Sequence, residues 1–89
     1  MVIFFHHREQ DYEDWCNEHK EGYVFNHAGG MTGNVLHVVG CKHLTASRYI
    51  GTYTTRYPKY CSDNIKELSD KADEVSKPYG WRQCKDCFK

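Results

Sequence analysis

Two short motifs, far apart in the chain, supply side chains of the kind that bind a soft metal ion. Cys84 and Cys87 form a C-x2-C motif, which offers two thiolates from one tight turn. His37 and Cys41 form an H-x3-C motif, which offers an imidazole and a third thiolate. Three thiolates and one imidazole are a ligand set typical of tetrahedral structural zinc. We therefore predict one Zn2+ ion bound by His37, Cys41, Cys84 and Cys87.

Two other side chains are alternatives to His37 as the fourth ligand. His43 lies two residues after Cys41, and Cys61 is a spare thiol between the two motifs. We expect His43 to face solvent and Cys61 to act as a small buried residue. Cys16 falls on the apolar face of a predicted helix, so we expect it in the core. A redox role for the C-x2-C motif is disfavoured because no helix is predicted after it.

The composition of the chain explains why a metal would be needed. Its 89 residues are enough for one domain, which we take to span residues 1–89. Leucine occurs only at Leu36, Leu44 and Leu68, while aromatic residues make up 15% of the chain. A small core with few aliphatic side chains often needs a disulfide or a metal to hold it together.

The cysteine count and the start of the chain favour the metal over disulfides. The chain has five cysteines, an odd number. Its apolar start, Met1–Phe5, is too short for a secretory signal, and no segment approaches the length of a membrane span. We therefore expect a cytoplasmic, reducing environment, in which thiols bind metals more often than they pair.

The apolar pattern predicts an α+β fold, with a small, mainly antiparallel sheet, two helices and one zinc site that holds them together. Strands are predicted at residues 2–5, 22–26, 34–39 and 49–57, with an extension through Tyr60 and Cys61. In the strand at 34–39, Leu36 shares one face with Val38. Because side chains alternate along a strand, His37 points to the opposite face, where it can turn toward a metal beside Cys41.

Helices are predicted at residues 11–19 and 62–75, and residues 41–47 are expected to form a turn or a short helix. Ser62 is the expected N-cap of the second helix, with Asp63 in its first turn. The apolar stripe of this helix consists of Ile65, Leu68, Ala72 and Val75. Their spacing is typical of a helix that packs one face on a core.

The motifs together resemble the zinc-binding domain at the N-terminus of Ada methylphosphotriester repair proteins, and related Ada-like modules of prokaryotic proteins. The matching segments are His37–Cys41, the helix from Ser62 to Val75, and Trp81–Cys87. A small prokaryotic domain that sometimes accompanies nuclease or restriction modules is similar in residues 22–26, 36–37 and 59–62 as well. The resemblance implies a zinc-binding fold, with nucleic acid as a partner.

The resemblance does not extend to methyl transfer. In Ada-type domains all four ligands are cysteines and the first of them accepts the methyl group, whereas His37 stands at that position here. A zinc-bound imidazole cannot replace an activated thiolate nucleophile. The connection between the two motifs is also longer, with residues 45–55 as the expected insertion. The part of the family pattern that carries over is therefore the metal site.

We accordingly expect a non-catalytic zinc module, with nucleic acid as the first candidate partner. Basic residues interleaved with tyrosines suit phosphate contact combined with base stacking. The basic residues are Lys42, Arg48, Arg56, Lys59 and Arg82. The formal net charge of zero argues against strong non-specific binding by the chain as a whole. The alternatives are a protein-interaction domain with purely structural zinc, and a thiol-based alkyl acceptor that uses Cys61 or a zinc-bound cysteine.

Overall fold

The computed structural model describes residues 1–28, 33–45, 51 and 53–88, which contain five strands and four helices. The strands are β1 (Ile3–Phe5), β2 (Tyr23–His27), β3 (Asn34–Val38), β4 (Lys59–Ser62) and β5 (Arg82–Gln83). The helices are α1 (Glu9–Glu18), α2 (Lys42–Thr45), α3 (Tyr53–Arg56) and α4 (Ile65–Val75). The predicted α+β class is confirmed. Among the described residues, no helix has both the length and the apolar character needed to cross a membrane.

The five strands form one sheet in the order β1-β4-β2-β3-β5. The pairs β1–β4, β4–β2 and β2–β3 are antiparallel, whereas β5 runs parallel to β3. The sheet is therefore mainly antiparallel, as predicted, with one parallel edge. This edge places the C-terminal part of the chain directly beside the strand that carries His37.

Alternating side chains give the sheet two buried faces. In β2, Val24 belongs to one cluster of buried residues and Phe25 to the other. The first cluster lies between the sheet and α1 and contains Phe5, Tyr12, Trp15, Val24, Val35, Cys41, Leu44, Cys61 and Cys84. The second lies between the sheet and α4 and contains Phe25, Leu36, Leu68 and Ala72. The sheet is thus covered by one helix on each side.

Helix α4 packs through the stripe that the sequence predicts, but its cap differs from the prediction. Leu68 and Ala72 are completely buried, whereas Ile65 at the edge of the stripe is 36% exposed. The N-cap is Asn64, whose Oδ1 accepts a hydrogen bond from the backbone N–H of Glu67. The prediction of Ser62 as the N-cap was wrong. Ser62 pairs with Tyr23 and therefore belongs to β4.

The predicted strand at 49–57 was also wrong over residues 53–56. Residues 53–56 form the short helix α3, while residues 49, 50 and 52 lie outside the described part of the chain. Thr54 is fully buried, and its backbone N–H and its hydroxyl both donate to the carboxylate of Glu9 at the start of α1. This tertiary contact outweighs the preference of threonine and tyrosine for strands.

The packing of α4 gives a test of the second cluster. We expect Leu68→Ala to lower the free energy of unfolding by about 2–5 kcal/mol, because it leaves a cavity in a closed core. Ile65→Ala on the same helix removes a partly exposed side chain and should cost less than about 1 kcal/mol. Urea denaturation of both variants measures the difference. Equal losses would contradict the placement of α4.

Candidate metal centre

The first half of the candidate site is built by β3 and the turn that follows it. Leu36 faces the second cluster, so His37 faces the opposite side of the sheet, where it is only 6% exposed. Gly40 then adopts a φ of +87°, a value that glycine tolerates and most other residues do not. The turn is closed by a hydrogen bond of 3.1 Å from the N–H of Cys41 to the carbonyl of Val38. Cys41 is thereby held beside His37.

The second half of the site is aligned by the parallel edge of the sheet. The N–H of Cys84 donates to the carbonyl of Leu36 at 2.8 Å, which continues the pairing of β5 with β3 by one residue. The N–H of Phe88 donates to the carbonyl of Cys84 at 3.1 Å and closes a turn. This turn brings Cys87 back toward the sulfur of Cys84.

The four predicted side chains converge at this point. One ligand atom from each of His37, Cys41, Cys84 and Cys87 lies within 4.8 Å of all the others. The two sulfurs of Cys41 and Cys84 are 3.9 Å apart, and Cys87 Sγ lies 3.7 Å from His37 Nδ1. Tetrahedral zinc with ordinary bond lengths would place two sulfurs about 3.8 Å apart, and a sulfur and a nitrogen about 3.6 Å apart. The cluster could therefore hold a metal ion.

A competing chemistry uses two of the same side chains. The sulfurs of Cys41 and Cys87 lie close enough to form a disulfide, and their Cα atoms are 5.9 Å apart. That separation also lies within the range found for disulfides. Cys16, Cys61 and Cys84 are free thiols in this arrangement. The same pocket is thus compatible with a metal or with a covalent cross-link between the two motifs.

The imidazole of His37 is suited to bind a metal at neutral pH. Burial, reinforced by the positive charges of His43, Lys59 and Arg82, lowers the pKa of His37 from 6.5 to about 4. The ring is therefore neutral at pH 7 and retains a lone pair for coordination. No proton has to be displaced from it when a metal binds.

The alternative ligands lie in different surroundings. Cys61 is completely buried in β4 and belongs to neither group of converging metal-ligand atoms found among the described residues. His43 has a half-exposed side chain in α2, and its ring centroid is 6.4 Å from that of His37. His43 Nε2 contacts Asp86 Oδ2 in the C-terminal turn. Asp86 was not identified as a site residue from the sequence, because an aspartate inside a C-x2-C loop has no distinctive spacing.

The thiols outside the cluster are in positions that suppress reactivity. Burial raises the pKa of Cys61 well above its usual value, and the nearby thiol of Cys16 adds to the effect. Burial also raises the pKa of Cys16 to about 11. Since the thiolate is the nucleophilic form, the raised pKa values of Cys61 and Cys16 disfavour nucleophilic chemistry at neutral pH. This environment is the opposite of the one that a thiol-based alkyl acceptor at Cys61 would need.

The residues predicted to contact nucleic acid differ in their exposure. Lys42 and Arg82 are exposed. Arg48 and the side chain of Arg56 lie outside the described part of the structure. Lys59 is only 5% exposed, because its ammonium donates inward to Asn26 Oδ1 and to the carbonyl of Tyr57. Lys59 therefore has an internal role and is not presented to a phosphate.

Comparisons with known proteins give no relative: no family model, no curated protein and no solved structure matches this chain. The resemblance to Ada-like domains therefore depends on the short motifs alone. What can be said of the chain's chemistry follows from the four side chains that the fold brings together.

Because Lys59 is buried, the free energy of unfolding should change with pH in the alkaline range. Burial lowers its pKa from 10.5 to about 8, although the nearby Cys61 and Glu9 act in the opposite direction. Between these two values the unfolded chain binds more protons than the folded one at this site. Stability from this residue therefore rises as pH increases from about 8 to about 10.5.

We expect the free energy of unfolding of the unmodified protein, relative to Lys59→Met, to rise by up to about 3 kcal/mol across this range. Because the other titrating groups are present in both proteins, most of their contribution cancels in this difference. Lys66→Met, at a lysine whose side chain is 81% exposed, is the control and should show no such rise. Urea denaturation at several pH values measures both. If the difference in unfolding free energy between the unmodified protein and Lys59→Met does not change with pH, the amine of Lys59 is not buried.

Proposed function

We propose that this chain is a zinc-binding module in which His37, Cys41, Cys84 and Cys87 form a structural site. The observation that supports this proposal is the convergence of four ligand atoms within 4.8 Å. Thiolates and a neutral imidazole are the ligands that zinc takes in closed tetrahedral sites. Such a site leaves no position for water or substrate, so its contribution is to folding and not to catalysis.

The metal accounts for more of the geometry than a disulfide does. A Cys41–Cys87 disulfide would use two of the four groups and leave the others without a role. Cys84 Sγ would still point at Cys41 Sγ from 3.9 Å, and a buried neutral imidazole would still face Cys87 at 3.7 Å. One ion bound by all four explains why they meet.

The energetic consequence for the fold is large. The site joins Cys41 to Cys84, which are 43 residues apart in the chain. Structural zinc contributes about 10–16 kcal/mol in small peptides at pH 7. The total stability of a native domain is about 5–15 kcal/mol. Metal binding of this strength would decide whether the chain folds.

Thiol counting separates the metal from the disulfide. We expect the purified chain to carry one tightly held zinc, and to show five alkylated cysteines by intact mass after chelation and denaturation without reductant. The Cys41–Cys87 disulfide would leave only three cysteines to react. Three adducts and no zinc would contradict the proposal.

A pair of serine variants tests the ligand assignment. Cys87→Ser should lose the tightly held zinc and its cooperative thermal unfolding, because it removes one of four ligands. Cys16→Ser changes a half-buried thiol outside the cluster and should keep the zinc. Metal analysis together with circular dichroism reports both properties. Retention of zinc by Cys87→Ser would exclude Cys87 as a ligand.

We propose nucleic-acid binding as a second candidate function, supported by exposed cations close to the cluster. Arg82 and Lys85 are exposed and line an open cavity of about 450 Å³, which His37 and Cys84 also line. Lys42 is exposed on α2, next to Cys41. These three cations could contact a phosphate backbone. Because the net charge is zero, such binding would be weak and sensitive to salt.

We expect the double variant Arg82→Ala, Lys85→Ala to weaken binding to single- and double-stranded DNA, and to reduce the salt dependence by the equivalent of about two phosphate contacts. Lys66→Ala together with Lys71→Ala removes two cations from α4 and is the matched control. Fluorescence anisotropy at low salt, with zinc bound, gives the affinities for DNA and for RNA. Absence of binding to both DNA and RNA would leave a protein-interaction module with structural zinc.

A further inference from the structure

A second group of potential metal ligands lies beside the first. One ligand atom each from His43, Cys84 and Asp86 lies within 4.8 Å of the other two. Cys84 belongs to both groups, whereas His43 and Asp86 belong only to the second. His43 comes from α2, which begins directly after Cys41, and Asp86 comes from the C-terminal turn that also carries Cys84 and Cys87.

We propose that Cys84 is a bridging thiolate and that His43, Cys84 and Asp86 bind a second divalent ion, with zinc as the best match. This inference rests on the proposed function, because it needs Cys84 as a ligand of the first ion. Imidazole nitrogen, thiolate sulfur and carboxylate oxygen are all zinc donors. Three protein ligands leave one tetrahedral position open, in contrast to the closed first site.

The charges of the ligands and ions, taken by themselves, balance when a second cation is bound. Three thiolates around one Zn2+ leave a net charge of −1, and the carboxylate of Asp86 makes it −2. A second divalent ion brings the sum over ligands and ions to zero. A thiolate that is already bound to one zinc keeps lone pairs with which it can bind another, so Cys84 need not leave the first site.

The surroundings of the second group predict a weaker, solvent-accessible site. The side chains of His43 and Asp86 are 50% and 49% exposed, whereas three of the four residues in the first group are buried. His43, Cys84 and Asp86 line the same cavity of about 450 Å³ as Arg82 and Lys85. These two cations oppose a second metal ion, but they favour water or a small oxyanion in its open position. The second ion should therefore exchange more readily than the first.

The chain contains a comparison pair that lacks the thiol. His19 Nε2 lies 3.5 Å from Asp63 Oδ2, and this pair is also partly exposed. No cysteine joins these two residues in a group of converging ligand atoms within the described residues. An ion that binds any exposed histidine–aspartate pair would bind here too. An ion that needs the bridging thiolate would bind only at His43 and Asp86.

The test counts zinc ions on the full chain by native mass spectrometry, in the presence of reductant and at increasing zinc. We expect two ions on the unmodified protein, with the second lost first on dilution or mild chelation. Asp86→Asn and His43→Gln should each keep the first ion and bind the second more than about 10-fold more weakly, since even loss of an outer-shell partner costs about 10- to 100-fold. Asp63→Asn should bind both ions as the unmodified protein does.

Each other outcome has a definite meaning. A single ion that survives Asp86→Asn and His43→Gln overturns the second site and leaves the proposed function standing. A single ion that is lost in His43→Gln makes His43 a ligand of the first site and also overturns the inference. Loss of the second ion in Asp63→Asn would show an adventitious surface ion only. Absence of any bound ion would overturn both proposals.

Discussion

The parallel pairing of β5 with β3 is the constraint on which the rest of the site depends. The hydrogen bond from the N–H of Cys84 to the carbonyl of Leu36 fixes where the C-terminal turn begins. Because β3 also carries His37, this one register sets the distance between the two motifs. A strand of only two residues has little pairing energy of its own, so contacts around it help to hold it in place. The side-chain amide of Asn34 donates to the carbonyl of Gly80, and Trp81 and Phe88 pack against the second cluster.

The two faces of the sheet are packed by different kinds of side chain. The face toward α4 is closed by Phe25, Leu36 and Leu68, which are all fully buried. The face toward α1 contains three buried cysteines, and two of these, Cys41 and Cys84, are also at the metal-ligand cluster. A buried thiol packs as a small apolar residue, and it also offers a ligand atom. The same side chains therefore fill the first core and bring potential ligand atoms from two distant segments together.

The sequence was informative where a residue's role follows from local spacing. Alternation in β3 places Leu36 and His37 on opposite faces, and H-x3-C and C-x2-C each imply ligands in one turn. It was misleading where tertiary contacts decide, as at Thr54, which bonds to Glu9 from a short helix. Lys59 was mispredicted for the same reason. Nothing in its local sequence reveals that its ammonium donates a hydrogen bond to Asn26 Oδ1. The meeting of His43 with Asp86 needs the register of β5, which no local pattern encodes.

Burial differs sharply between the cluster and the charged residues next to it in the chain. His37, Cys41 and Cys84 are buried, with exposed fractions of 5–7%. Lys42, Arg82 and Lys85 each lie within two residues of one of these three and are exposed. Arg82 is positioned by the pairing of β5 with β3, and all three charged side chains are exposed. The exposed cations thus surround a group of side chains that could hold a metal ion.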